Sequence, residues 1–294
     1  MYFGYNPGLC FNAACSVNVL KRTKLVSMSQ IRDIAVKESN ILELLDFSRW
    51  GDSDVSRSIF VISPKNDLRL LAPCKFGAGS RWALDLLLKE YTSRRADAVA
   101  AFYRYISRGY ETVPLWGHVF GLQVLNHLDG IDAIHEFSIR GLSRSEKMTW
   151  LYRGPIKRFD FLQDVDFIDK ITETVQNKKP VHLVPSALNF PAFDSILYDP
   201  NEVLTCIQTT VRRDHHILVS GLQRIQSWLE RDTRLAGLRA SKERPWRFIF
   251  IVPSDEESFE LQQLEGDPAQ GEWAGKVHQY VLGLDVVGKN QSGV

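Results

Sequence analysis

Two apolar runs, Val203 to Val211 and Arg247 to Val252, flank the most regular amphipathic segment of the chain, Ile217 to Leu229. Leu218, Leu222, Ile225 and Leu229 recur there at helical spacing and form one row. Parallel strands need a connection of a dozen or more residues, and a helix is the usual one. A helix between two strand-length runs therefore permits a parallel crossover. An α/β or mixed sheet is the expected architecture.

The neighbouring segments fit that frame. Trp116 to Leu128 reads as a helix, with Phe120, Val124 and Leu128 on one face and Gly130 at its end. Ile134 to Leu142 alternates as a strand, and Met148 to Tyr152 reads as another. Asp160 to Val175 reads as a helix. Pro180 to Val184 and Phe193 to Leu197 read as short strands, and Val277 to Leu284 is ambiguous. Before residue 110 the pattern is less regular. Residues 31 to 47 have helix-like spacing, and Gly51-Asp52-Ser53-Asp54 reads as a turn. Ser58 to Ser63 and Leu68 to Ala72 look like a hairpin, followed by helices from Ser80 to Tyr91 and from Ala96 to Ser107. The expected division is a weakly patterned segment 1–57, a small α+β segment 58–110, a main domain 111–286 and a tail 287–294.

Charge and cysteine usage narrow the function classes. The 294 residues carry 36 basic and 35 acidic side chains, so no global field attracts nucleic acid and any such role rests on a local patch. Cys10, Cys15, Cys74 and Cys206 have neither C-x-x-C nor zinc spacing, which favours a reduced intracellular protein. No run of eighteen apolar residues exists, so no membrane role is expected. The N-terminus lacks a basic leader region, although its small residues leave secretion open.

Several short motifs bear on chemistry. They are Gly117-His118-Val119-Phe120 opening a helix, Leu183-Val184-Pro185, Asn189-Phe190-Pro191-Ala192-Phe193-Asp194, Ile207-Gln208-Thr209-Thr210-Val211, and His216 before Gly221-Leu222. Phe250-Ile251-Val252-Pro253 and Gln279-Tyr280-Val281-Leu282-Gly283-Leu284 follow. Together they resemble the Crinkler and retrotransposon-hot-spot type proteins over roughly residues 110 to 285. The resemblance implies a restriction-endonuclease-like mixed sheet flanked by helices, similar to the PD-(D/E)xK nucleases. It also implies effector, toxin or genome-conflict roles inside cells, often at the nucleus, and a P-loop ATPase partner module. Here no G-x-x-x-x-G-K-[ST] is present, since Gly77-Ala78-Gly79-Ser80-Arg81-Trp82 lacks the lysine. No nucleotide site is therefore expected. Residues 58–110 resemble the tail of a lost ATPase module, and a separate chain could supply one.

A nuclease of this kind holds Mg²⁺ or Mn²⁺ between oxygen ligands and activates a water. By position, the resemblance gives Asp194 the first acidic place, Gln208 the second and Thr210 the place of the lysine. Gln208 and the Thr209 carbonyl would be neutral metal ligands beside Asp194. Gly121 stands where family members often carry a glutamate. Each lost carboxylate forfeits roughly 4 kcal/mol per unit charge at 4 Å and an effective dielectric of 20, before desolvation is counted. Arg212, Arg213, His215 and His216 could supply the missing cation, with His216 the catalytic candidate. Arg144, Lys147, Arg153, Lys157 and Arg158, interleaved with Trp150 and Tyr152, form a local basic cluster suited to phosphates and bases. Asp160, Asp164, Asp166 and Asp169 read as the solvated face of a helix. Three readings follow: a metal-dependent nuclease with a degenerate site, an inactive nuclease fold binding nucleic acid or a host protein, and a gene fragment.

Overall fold

The computed structural model describes residues 25–26, 28–33, 35, 60–64, 74–78, 81–94, 96–109, 112–144, 146–186, 190–253, 259–266 and 271–285. The turn at 51–54, the strand expected at 68–72 and the tail 287–294 lie outside them. The chain divides into two compact units, residues 1–122 and 123–294. The division falls within a helix, downstream of the boundary expected near residue 110.

In the first unit, β1 (Phe60–Pro64) and β2 (Cys74–Ala78) pair antiparallel, with Phe60 opposite Ala78. The hairpin partner of β1 thus lies downstream of Leu68–Ala72. Helices α1 (Arg81–Arg94) and α2 (Ala96–Arg108) follow and pack on each other. Leu84, Leu87 and Tyr91 of α1 and Phe102 and Ile106 of α2 are fully buried. Arg32 donates to Glu90 at 2.8 Å, holding the helical segment 28–33 against α1. Helix α3 (Val113–Asp129) begins in this unit and ends in the second.

The second unit is built on one eight-stranded mixed sheet. Its strands are β3 (Ile134–Gly141), β4 (Lys147–Arg153), β5 (Lys157–Phe161), β6 (Val181–Pro185), β7 (Ser195–Tyr198), β8 (Thr205–Thr209), β10 (Trp246–Val252) and β12 (Val277–Gly283). Their order is β4-β3-β12-β10-β8-β7-β6-β5. Helix α4 (Asp164–Asn177) joins the parallel pair β5 and β6, and helix α5 (Val219–Glu230) joins the parallel pair β8 and β10. The second is the crossover that the apolar runs around Ile217–Leu229 imply. A short parallel pair, β9 (Ile217–Leu218) with β11 (Leu264–Glu265), stands apart from the main sheet.

Burial follows position in the sheet. Every residue of β6, β7 and β8 is buried, as expected where both faces of a sheet are covered. β3 and β4 are exposed over their first three residues, and only Phe137, Ile139, Trp150 and Tyr152 among their residues are buried. An aromatic cluster of Phe161, Phe167, Phe190, Phe193 and Trp228 packs α4 and α5 against the sheet.

One expectation is corrected between 157 and 164. Lys157–Phe161 is an edge strand, and α4 begins only at Asp164. Asp160 lies on that strand and accepts from Arg158 at 2.8 Å. Asp166 accepts from the backbone N–H groups of Leu162 and Gln163, at 3.1 and 3.0 Å. It reaches back from the third helical position to the N-cap Gln163 and the residue before it, and so sets the start of the helix. Asp164 pairs with Arg231. Asp164, Asp166 and Asp169 lie on α4, where Asp166 and Asp169 are exposed, so the solvated helix face holds for these three and only Asp160 departs from it.

Candidate functional site

Asp194 lies one residue before β7 and continues its ladder, since its N–H donates to the Ile207 carbonyl at 2.9 Å. Ser195 pairs with Ile207, so Asp194 faces Gln208 across the two antiparallel strands. The spacing between the two motifs in the sequence is therefore the span of one β-hairpin. The approach to Asp194 is sharply bent. Ala192 has φ +80°, a left-handed conformation that costs a non-glycine residue about 1–2 kcal/mol. Pro191 and Ala192 lie directly on Gly221 of α5. Phe190 and Phe193 flank them in the aromatic cluster, and the Arg224 guanidinium lies over the rings of Phe190 and Trp228. We expect Ala192→Gly to raise stability by up to about 1 kcal/mol, because glycine accepts positive φ without strain. A lower urea midpoint for that variant would show that the bend is not strained.

The carboxylate of Asp194 is gathered by β8. Its Oδ2 accepts from the Thr209 hydroxyl at 2.6 Å, the Thr209 N–H at 2.8 Å and the Gln208 Nε2 at 3.0 Å. The same Gln208 nitrogen donates to the Thr209 carbonyl at 3.1 Å. The sequence motif places Asp194, Gln208 and Thr209 together, but the chemistry differs from a metal-ligand set. The position facing the carboxylate and the carbonyl is filled by an N–H donor. A flipped amide would set its oxygen against two acceptors and lose two hydrogen bonds. A hard divalent ion requires oxygen ligands at that point. The residues present therefore do not fit Mg²⁺ or Mn²⁺ as they stand. Among the described residues no three His, Cys, Asp or Glu side chains gather round one point.

Thr210, in the place of the lysine, is buried and turned to its own loop. Its N–H donates to Ile251, and its hydroxyl accepts from the Arg212 N–H at 3.1 Å. It closes the turn after β8 and offers no positive charge. Arg212, Arg213 and His216 are exposed on the loop that follows, while His215 is half-buried. Burial pushes the His215 imidazole down, partly opposed by the nearby charge of Asp194. The loop is anchored by two glutamines that belong to no sequence motif for a site. Gln262 accepts from the His215 N–H at 2.7 Å and donates to the Arg213 carbonyl at 2.9 Å. Gln279 on β12 bonds the backbone of Gln262 through both ends of its amide.

The basic cluster is differently disposed. Arg153 donates to Asp199 at 2.8 Å and lies 3.5 Å from Glu202, and Arg247 donates to Glu202 at 3.0 Å. Asp199, in the turn after β7, is itself buried. Arg158 contacts Asp129 and Asp160. Arg153 and Arg158 thus serve internal carboxylates, whereas Arg144, Lys147 and Lys157 are exposed. Their strands, β4 and β5, are the two edges of the sheet, while Asp194 belongs to its middle.

A second polar group lies nearer the β5 edge. His182 on β6 and Ser195 on β7 are fully buried, with Nε2 and Oγ 2.9 Å apart. Asp129 at the end of α3 lies 3.5 Å from His182 Nδ1. The one available signal was a histidine inside the otherwise apolar run Val181–Pro185. No helix among the described residues is long and apolar enough to cross a membrane. No family model, no curated protein and no solved structure matches the chain.

Proposed function

We propose that this chain is a Crinkler-type protein whose restriction-endonuclease-like domain binds nucleic acid without cutting it. The observation that carries the reading is the Gln208 amide, whose nitrogen stands between Asp194 Oδ2 and the Thr209 carbonyl where hydrolysis would need a cation. The cluster satisfies itself by hydrogen bonds and supplies neither a second carboxylate nor a lysine for the attacking water. The surface nearest this cluster that offers cations to a phosphate backbone is the loop after β8. Arg212, Arg213 and His216 are exposed there, at the carboxyl end of β8. In open α/β sheets ligands bind at such ends.

The test is to incubate end-labelled single- and double-stranded DNA and RNA with the protein in Mg²⁺ and in Mn²⁺. The expected result is binding that weakens with salt, as phosphate contacts require, and no cleavage. Arg212→Glu combined with His216→Glu should weaken binding about tenfold, because both charges then oppose the backbone. Metal-dependent cleavage abolished by Asp194→Asn would overturn the reading in favour of an active nuclease. Absence of binding to every nucleic acid at low salt would remove the nucleic-acid role.

A further inference from the structure

A cavity of about 300 Å³ opens at the end of the sheet away from Asp194, where β7 ends and β8 and β10 begin. That is the small end of the range for ligand pockets, about 300–1,000 Å³. Val175 of α4, Tyr198, Val203, Leu204, Leu238 and Trp246 give it an apolar wall. The Trp246 indole N–H donates to the Leu238 carbonyl at 2.7 Å, which ties β10 to the 3₁₀ turn Thr233–Leu238 and fixes one side of the wall. Tyr198 and Trp246 are both buried. Two aromatic rings held in place offer a flat ligand contact area at little entropic cost.

Three charged side chains also line the cavity, and two are already neutralised. Glu202 accepts from Arg247 at 3.0 Å and lies 3.5 Å from Arg153. Arg234 donates to Asp232 through hydrogen bonds of 2.6, 2.9 and 3.0 Å. Arg244 is different. Its Nη1 donates to the Gly237 carbonyl, and no carboxylate among the described residues pairs with its guanidinium. Gly237 permits this placement, since a Cβ there would come within 3.2 Å of the same nitrogen. Arg244 is exposed, so the rim of the cavity carries one uncompensated cation. A second polar group on the lining is also unused. The Tyr198 hydroxyl has no hydrogen-bond partner among the described residues, although the side chain is only 6% exposed. Burial first, and then the charge of Asp199, raise the pKa of this phenol, so it keeps its proton and can donate.

We propose that this cavity binds a small aromatic monocarboxylate, with its ring against Tyr198 and Trp246 and its carboxylate on Arg244. The anion follows from the charges. Nε and Nη2 of Arg244 remain for a carboxylate, which a guanidinium edge meets by two parallel N–H···O bonds. A phosphate dianion would leave one charge unmatched beside Glu202. The site lies at the other end of the sheet from the Asp194 cluster and does not depend on the function proposed above.

The experiment titrates the full chain with hydrocinnamate and with naphthoate, followed by calorimetry and tryptophan fluorescence. We expect one-to-one binding with a change in tryptophan emission. The uncharged amides of the same acids, and inorganic phosphate, should each bind about tenfold more weakly or not at all. Arg244→Gln should weaken binding of the acids about tenfold, and Tyr198→Phe about threefold. Val203→Phe fills the cavity while leaving every polar group in place, and should abolish binding. Arg244 is exposed, so its variant decides the matter if the Val203 variant does not fold. Failure of both acids to bind at millimolar concentration would overturn the proposal. So would binding undiminished by Arg244→Gln, because the acids would then sit elsewhere. Equal affinity for the amides, or a preference for phosphate, would overturn it as well.

Discussion

Gly221→Ala is expected to destabilise the protein by about 3 kcal/mol, the upper end of overpacking costs. Helix propensity alone predicts the opposite sign, a gain of about 1 kcal/mol for removing glycine from a helix. The reason for the reversal is contact. A Cβ at Gly221 would lie 2.0 Å from the Pro191 carbonyl oxygen, 2.6 Å from its carbon and 2.8 Å from the Ala192 Cβ. These are mostly backbone atoms and cannot swing away as a flexible side chain would. Either α5 moves off the sheet or the bend at Pro191–Ala192 opens, and Asp194 follows that bend. Gly266→Ala is the natural control. Its φ is +79°, but nothing lies within 4 Å of the added carbon, so its cost is conformational alone, about 1 kcal/mol. Urea denaturation of both variants separates the two costs. A Gly221→Ala protein as stable as the parent would show that α5 does not abut the Asp194 loop.

Gln208→Glu should have an effect of similar size but of electrostatic origin. The new carboxylate would take the place of an amide that donates to Asp194 Oδ2 at 3.0 Å and to the Thr209 carbonyl at 3.1 Å. It would meet two acceptors in a position only 8% exposed. Uncompensated charge in such a place costs about 3–5 kcal/mol. Two carboxylates this close share one proton, which raises an apparent pKa in the folded state above its unfolded value. The folded variant therefore binds more protons than the unfolded chain, and its stability falls as pH rises from about 4 to 7. Millimolar Mg²⁺ should restore much of the loss, since the ion now finds oxygen ligands and binds only the folded state. The parent should show neither the pH effect nor the Mg²⁺ rescue. Equal stability of variant and parent at pH 7 without metal would mean that the amide does not face the carboxylate. The reading of the site as a self-satisfied cluster would then fail.

Much of the second unit was legible from hydrophobic period. The α5 row and its flanking apolar runs announced a parallel crossover, because that pattern is local and its physical meaning is unambiguous. The alternation in Ile134–Leu142 marked β3 for the same reason. β5 was not legible. Lys157-Arg158-Phe159-Asp160-Phe161 carries charge at three of five positions, and as an edge strand it buries only Phe161. Its strand character comes from pairing with β6, which no local pattern reports. The hairpin partner of β1 was misplaced likewise, because Leu68–Ala72 is the more apolar run while pairing selected Cys74–Ala78.

The sequence by itself determined which residues meet at the candidate site. Asp194 and Gln208 face each other because their separation in the chain matches one antiparallel hairpin, and that separation is covalent. It also determined that the positions of Gln208 and Thr210 carry no charge. Only the tertiary structure decided how the amide points, because orientation is set by Thr209 and Asp194 offering two acceptors to one nitrogen. Only the tertiary structure committed Arg153 to Asp199 and Arg158 to Asp129, carboxylates distant in the chain, and brought Asp129, His182 and Ser195 together. Side-chain partners across a sheet depend on strand order and close approach, and neither is written in the periodicity of any single segment.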